Sequence, residues 1–150
     1  MNTRILVDAD ACPVKDEIYR VAFRHDATVA VVSNMAMRVP VDTRVERVVV
    51  GPEFDAADDW IAERAGPRTI AVTSDILLAD RCLKAGATVI APTGKPFTAG
   101  SIGAAIATRA IMADLRAGGD VVGGPAPFSN VDRSCFLQAL DGALVRLGRA

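Results

Sequence analysis

Four aspartates offer this chain its chemistry. Asp8 and Asp10 stand in Asp8-Ala9-Asp10, directly after the apolar run Ile5-Leu6-Val7. Asp75 follows a second apolar run, Ile70-Ala71-Val72, through Thr73-Ser74. The fourth comes from Asp55-Ala56-Ala57-Asp58-Asp59, where Asp58 is preferred over Asp59 as the residue facing the others. In a parallel sheet, residues at the C-terminal ends of strands line the crevice where ligands bind. Carboxylates gathered there repel one another and call for a cation, and hard oxygen donors suit Mg²⁺ or Mn²⁺. Such an ion activates water for attack on a phosphodiester. Each aspartate also has a plain structural use. Asp8 and Asp10 fit a turn before Pro13, Asp75 fits a helix N-cap, and the Asp55–Asp59 acids suit the positive start of a helix.

Other reactive types are sparse. Arg38, in the loop after the second strand, and Lys95, in the turn after the fifth, are candidate phosphate contacts. Arg133, beside Asp132, is a third candidate, with a helix-start contact as its structural use. Arg109 and Arg116 are further scattered cations. Cys12 precedes Pro13 at a helix start, a place that can favour thiolate, but the nearby aspartates oppose ionisation. It reads as a small buried residue supporting the loop. His25 is the sole histidine and ends the first helix, so no Ser-His-Asp triad is indicated. Gly123-Gly124-Pro125 has neither the P-loop lysine nor the GxGxxG arrangement and reads as a fixed bend that docks the last helix.

The elements that must position these residues alternate between strand and helix, as in βαβ units. Strands are expected at Arg4–Val7, Ala27–Val32, Val45–Val50, Thr69–Val72 and Ala87–Ala91. Helices are expected at about Pro13–His25, Phe54–Arg64, Asp75–Ala85 and Ala99–Ala117. Ser33–Thr43 reads as a loop and Pro92–Pro96 as a turn. A final helix carries Phe136, Leu140, Leu144 and Leu147 on one face, with Ser129 and Asp132 spaced as a capping box. Cys82 and Cys135 read as helix residues in or near the core.

The 150 residues fit a single domain, 1–150, and 51% of them are apolar, which suits a sheet covered on both faces. The net charge of −1 gives no basic signature of tight non-specific nucleic-acid binding. Three cysteines without a pairing pattern point to a reducing compartment, and no signal peptide or membrane span is apparent. A cytoplasmic location is expected.

Asp8-Ala9-Asp10-Ala11-Cys12-Pro13, Thr73-Ser74-Asp75-Ile76-Leu77-Leu78-Ala79 and Gly123-Gly124-Pro125-Ala126-Pro127-Phe128, with Asp132-Arg133 and Phe136 following, resemble the YaiI/YqxD family (UPF0178, DUF188). That bacterial family is grouped with PIN-like domains. The resemblance implies a three-layer α/β/α fold with a mostly parallel sheet of about five strands, the first strand lying between the second and fourth. It also implies an acidic, metal-binding crevice, since many PIN-like relatives are Mg²⁺- or Mn²⁺-dependent nucleases. The first-strand acid corresponds to Asp8, with Asp10 added. The central helix acid corresponds to Asp58 or Asp59, and the acid opening the following helix to Asp75. The place after the fifth strand holds Ala91-Pro92-Thr93 with no carboxylate, a departure for which Asp10 or Asp80 would compensate.

The implied function is a divalent-metal-dependent phosphodiesterase acting on RNA or another nucleic acid. Asp8, Asp10 and Asp75 would be catalytic, Asp8, Asp10, Asp58 and Asp75 would hold metal, and Arg38, Lys95 and Arg133 would bind substrate. The alternative is a non-catalytic domain binding a nucleotide, RNA or a partner. A HAD-like phosphatase shares the strand-plus-DxD opening, with Thr73 or Ser74 as its second motif, but its later acidic pair is missing near Gly119-Asp120.

Overall fold

The computed structural model describes residues 3–53, 55–117 and 127–149. Its centre is a six-stranded sheet formed by β1 (Arg4–Asp8), β2 (Thr28–Ser33), β3 (Val45–Val49), β4 (Thr69–Val72), β5 (Thr88–Ile90) and β6 (Pro96–Phe97), in the order β3-β2-β1-β4-β5-β6. All pairings are parallel except that of β6 with β5. The helices are α1 (Lys15–Arg24), α2 (Ala56–Arg64), α3 (Ile76–Lys84), α4 (Ala99–Ala117) and α5 (Asn130–Arg149). The first strand lies between the second and fourth, as expected from sequence.

Strand alternation divides the core in two. Ile5 and Val7 of β1, Val29 and Val31 of β2, and Ile70 and Val72 of β4 pack with Ile18, Val21 and Ala22 of α1 and with Phe136, Leu140 and Leu144 of α5. Leu6, Ala30, Val32 and Ala71 point the other way, onto Ala57 and Ile61 of α2, Leu78 and Cys82 of α3 and Ile102 of α4. The result is an α/β/α sandwich. Its handedness follows from connection direction. From β1 to β2 the chain steps one way across the sheet, and from β3 to β4 it steps back, so right-handed crossovers put α1 and α2 on opposite faces.

Several local expectations need correction. β6 falls at the edge of the segment read as a turn, because two residues are too few to show a period. α1 starts at Lys15 rather than Pro13: Ala9–Ala11 forms one 3-10 turn, and Val14 caps the helix with a non-helical backbone (φ −116°, ψ 26°). Cys82 is fully buried, but Cys135 is exposed on α5. Gly123-Gly124-Pro125 lies outside the described residues, as does Phe54. Among the described residues, no helix is long and apolar enough to cross a membrane.

The last helix opens as its spacing predicts. The Ser129 N–H donates to Asp132 Oδ2 at 3.0 Å, and the Asp132 N–H donates to Ser129 Oγ at 3.2 Å, a reciprocal capping box.

Candidate functional site

The acids meet where the strand order reverses. β1 and β4 are neighbours, and the chain leaves them on opposite faces of the sheet, which opens a crevice at their C-terminal ends. Asp8 is the last residue of β1 and shares the parity of Leu6, so it faces the α2–α3 layer. Thr73, just past β4, shares the parity of Ala71 and projects to the same side. Its Oγ1 donates to Asp8 Oδ2 at 2.8 Å. The same oxygen accepts the Asp75 N–H at 3.0 Å. Asp75 caps α3, its Oδ1 accepting from the N–H groups of Leu77 at 2.9 Å and Leu78 at 3.2 Å. The capping role read from sequence is thus real and leaves one carboxylate oxygen over.

Asp10 rides on the 3-10 turn and accepts the Asn34 N–H, 3.1 Å from Oδ2 and 3.3 Å from Oδ1. Asp58 stands in the first turn of α2, beside the buried Ala57. Asp55 precedes α2 in the left-handed region (φ 68°), and its side chain makes no capping bond. Asp8, Asp10, Asp55, Asp58 and Asp75 all line one hollow of about 380 Å³. Asp59 turns away and pairs with Arg81 at 2.8 Å, which separates it from Asp58. Asp80 pairs with Lys84 at 2.9 Å.

The electrostatics follow from this convergence. Burial raises the Asp8 carboxyl above its ordinary range, the Thr73 hydrogen bond opposes that, and the charges of Asp75 and Asp10 add to it. Asp58 is pushed up to about 6, first by burial and then by Asp75, Asp8 and Asp55. Among the described residues no cation lines the hollow, and Arg81, paired with Asp59 beside it, only partly opposes the rise at Asp58. The hollow's side-chain donors are carboxylates and the Asn34 amide, an oxygen set that fits a hard divalent cation and not a thiolate- or imidazole-bound metal. Among the described residues no three His, Cys, Asp or Glu side chains already close on one ion-sized point. Asp8 Oδ1 and Asp75 Oδ2 accept no hydrogen bond from the described residues, so Asp8 and Asp75 each keep an oxygen for a ligand without breaking the Thr73 or capping bonds.

The basic candidates are placed apart from the acids and from one another. Arg38 lines a groove made by residues 38–47 beside β3. Arg133 bonds the Glu17 carboxylate and the Pro13 carbonyl, with its guanidinium 5.0 Å from the Phe128 ring centre, tying α5 to the start of α1. Lys95 lines a different cavity that borders the acidic hollow at Ser74 and Ile76. Arg109, a scattered cation in the sequence, stands in that same cavity.

The remaining reactive groups lie elsewhere. Cys12 is buried, and burial raises its thiol pKa above the ordinary value, against a thiolate role. His25 follows α1, with Nε2 2.7 Å from Asp141 Oδ1 on α5, a contact that lowers the Asp141 carboxyl pKa. This pair sits in the layer opposite the acids.

Residues 6–146 match the family described as "Uncharacterized BCR, YaiI/YqxD family", DUF188. The chain belongs to that family. It is 72% identical over 146 residues to a UPF0178 protein of Sphingopyxis alaskensis, covering 97% of this chain and 95% of that one. A UPF0178 protein of Rhodopseudomonas palustris is 61% identical over 148 residues, covering 99% and 96%. One from Bradyrhizobium diazoefficiens is 62% identical over 147 residues, covering 98% and 88%. No solved structure matches the chain.

Proposed function

We propose that this YaiI/YqxD-family protein is a divalent-metal-dependent phosphodiesterase of PIN-like type, acting on RNA or another nucleic acid. The observation that carries the reading is the meeting of Asp8, Asp10, Asp58 and Asp75 in one hollow at the β1–β4 reversal, with the Asp58 carboxyl pushed up to about 6. Such a shift records carboxylates crowded together and half withdrawn from water, the condition that a bound cation relieves.

Asp8, Asp10 and Asp75 would be the principal ligands, and Asp58 would complete the set from α2. A divalent ion held there supplies a water of lowered pKa and stabilises charge on a phosphate. The chain itself contributes orientation. Thr73 fixes the Asp8 carboxylate, the Asn34 N–H holds Asp10, and the first turn of α3 holds Asp75. Lys95, across the Ser74–Ile76 rim, is the basic candidate nearest in arrangement to these acids and would hold a substrate phosphate.

The test is cleavage of a fluorescent single-stranded RNA in Mn²⁺, Mg²⁺ or EDTA. Mn²⁺- or Mg²⁺-dependent hydrolysis that is lost in Asp8→Asn and in Asp75→Asn is expected. Hydrolysis in EDTA, or hydrolysis unchanged by both substitutions, would remove the acids from the reaction. Binding of the RNA without turnover under every metal condition would instead favour the non-catalytic alternative.

A further inference from the structure

A second cavity, of about 840 Å³, opens on the other side of the Ser74–Ile76 segment. The residue between those two is Asp75, so the two hollows share the start of α3 as a common rim. Their linings differ sharply. The second cavity holds no carboxylate; Pro92, Phe97 and Met112 give it apolar walls, and Lys95 and Arg109 give it two cations. Its volume falls within the roughly 300–1,000 Å³ of small-molecule sites.

Both cations are held on ordered elements. Lys95 ends a turn closed by bonds from the Ala91 N–H to the Lys95 carbonyl at 2.9 Å and from the Gly94 N–H to the Ala91 carbonyl at 2.8 Å. Arg109 lies on α4, where Ala105, Thr108, Arg109 and Met112 recur at helical spacing along the cavity wall. Among the described residues, neither the Lys95 ammonium nor the Arg109 guanidinium has a hydrogen-bond or ion-pair partner, whereas Arg4, Arg44, Arg64, Arg81 and Arg133 are all paired with acids. Two uncommitted cations beside apolar surface suit a ligand that is anionic at one end and flat and apolar at the other.

We propose that this cavity receives one unstacked nucleotide of a single-stranded nucleic acid, its base against Phe97 and its phosphate at Lys95 and Arg109. The inference rests on the phosphodiesterase reading of the adjoining hollow and names its substrate class. The neighbouring phosphodiester of the same strand then lies over Asp8, Asp10, Asp58 and Asp75. The two cations answer a difficulty of that acidic hollow, which by itself repels a polyanion. A base enters such a cavity only when free of its pairing partner, so the geometry selects single strands over duplex.

The test is fluorescence anisotropy in EDTA, where binding is read without turnover, at several salt concentrations. The probes are a labelled mixed-sequence RNA 12-mer, the DNA strand of the same sequence, and the RNA annealed to its complement. The single-stranded RNA should bind about tenfold or more tighter than the duplex. Lys95→Ala with Arg109→Ala should weaken that binding and lower its salt slope by about 0.7, the amount for the one phosphate no longer neutralised. Ala104→Phe alters an exposed α4 residue of the cavity wall, fills the cavity and keeps both charges, so it should weaken binding with the slope unchanged. These positions are exposed, and melting temperatures verify that the variants fold.

Equal affinity for duplex, no binding by the wild type, or binding indifferent to both the double substitution and Ala104→Phe would overturn the assignment. The RNA and DNA strands decide whether a 2′-hydroxyl is read, and tight binding of either strand supports the site. Failure of the phosphodiesterase reading looks different: the 12-mer survives Mn²⁺ while its single-strand preference and its sensitivity to these substitutions persist.

Discussion

A single buried hydroxyl, that of Thr73, joins Asp8 to Asp75: it donates to the Asp8 carboxylate at 2.8 Å and accepts the Asp75 N–H at 3.0 Å. The ends of β1 and β4 are therefore set relative to each other by side-chain chemistry as well as by the sheet. Thr73→Val keeps the shape and removes both bonds. It should cost about 1–3 kcal/mol in urea unfolding, the range for leaving a buried polar group unpaired. It should also move the Asp8 carboxyl further up, because the hydrogen bond that lowers it is gone. Thr73→Ser keeps the hydroxyl and should show little of either effect. A Val variant as stable as the wild type would show that the hydroxyl does not hold the acids.

The converging acids make the metal-free protein less stable than its core allows. A cation that binds only the native state adds RT ln(1 + [L]/Kd), about 2.7 kcal/mol at a hundredfold excess over Kd. Mn²⁺ should thus raise the melting temperature of the wild type. Asp8→Asn should remove that rise and leave the metal-free protein equally or more stable, since one repelling charge is gone. Asp75→Asn should also remove the rise while keeping α3 capped, because asparagine caps as well as aspartate. A rise that survives both substitutions would locate the cation elsewhere.

Much of this arrangement is legible in the sequence because it depends on short-range patterns. Apolar runs ending in Asp8 and in Thr73-Ser74-Asp75 mark strand ends, whereas Ile5-Leu6-Val7 is apolar throughout and does not show which face Asp8 takes. Spacing alone does not divide Asp58 from Asp59, which lie three and four residues past Asp55; the pairing of Asp59 with Arg81 does. Long-range pairings carry no such signal. Nothing near Arg133 in the chain announces that Glu17 partners it, and nothing near Asp59 announces Arg81. The exposed Cys135 reads as core-proximal in sequence because its neighbour Phe136 is buried, yet one residue is about 100° of helix. The cavity beside Lys95 lies between α4, residues 91–97 and the start of α3, so in sequence its second cation, Arg109, is one scattered charge among several.

The raised Asp58 carboxyl gives a pH signature in EDTA. A carboxyl with a folded pKa of about 6, above the ordinary value of 3.8, holds its proton more tightly in the native state than in the unfolded chain. Between those two values the native state binds more protons, so its stability falls as pH rises. The penalty is absent below the ordinary value and complete above about 6. Asp58→Asn removes it. The variant should match the wild type near pH ~3.5 and exceed it at pH ~7 by on the order of 1 kcal/mol, once solvent screening of this half-buried group is discounted. Urea unfolding at both pH values measures the difference, and a gap that stays constant with pH would mean that Asp58 is not under the field of Asp8 and Asp75.

Gly94 ties the Lys95 turn to the last helix, and its replacement tests that coupling. Its backbone is left-handed (φ 89°), and a Cβ there would lie 2.5 Å from the Cys135 carbonyl carbon and 2.7 Å from its oxygen. Those atoms belong to the backbone of α5 and cannot swing aside as a flexible side chain would. Gly94→Ala therefore combines the strain of a left-handed alanine, about 1–2 kcal/mol, with a steric displacement of either the turn or α5. A loss above about 2 kcal/mol in urea unfolding is expected. Gly103 supplies the contrast, since it lies within α4 and a Cβ there would meet nothing within 4 Å. Gly103→Ala should stabilise by roughly 0.5–1 kcal/mol through helix propensity alone. If Gly94→Ala proves as harmless as Gly103→Ala, the turn is not anchored on α5, and Lys95 loses the ordered position on which its pairing with Arg109 across the cavity depends.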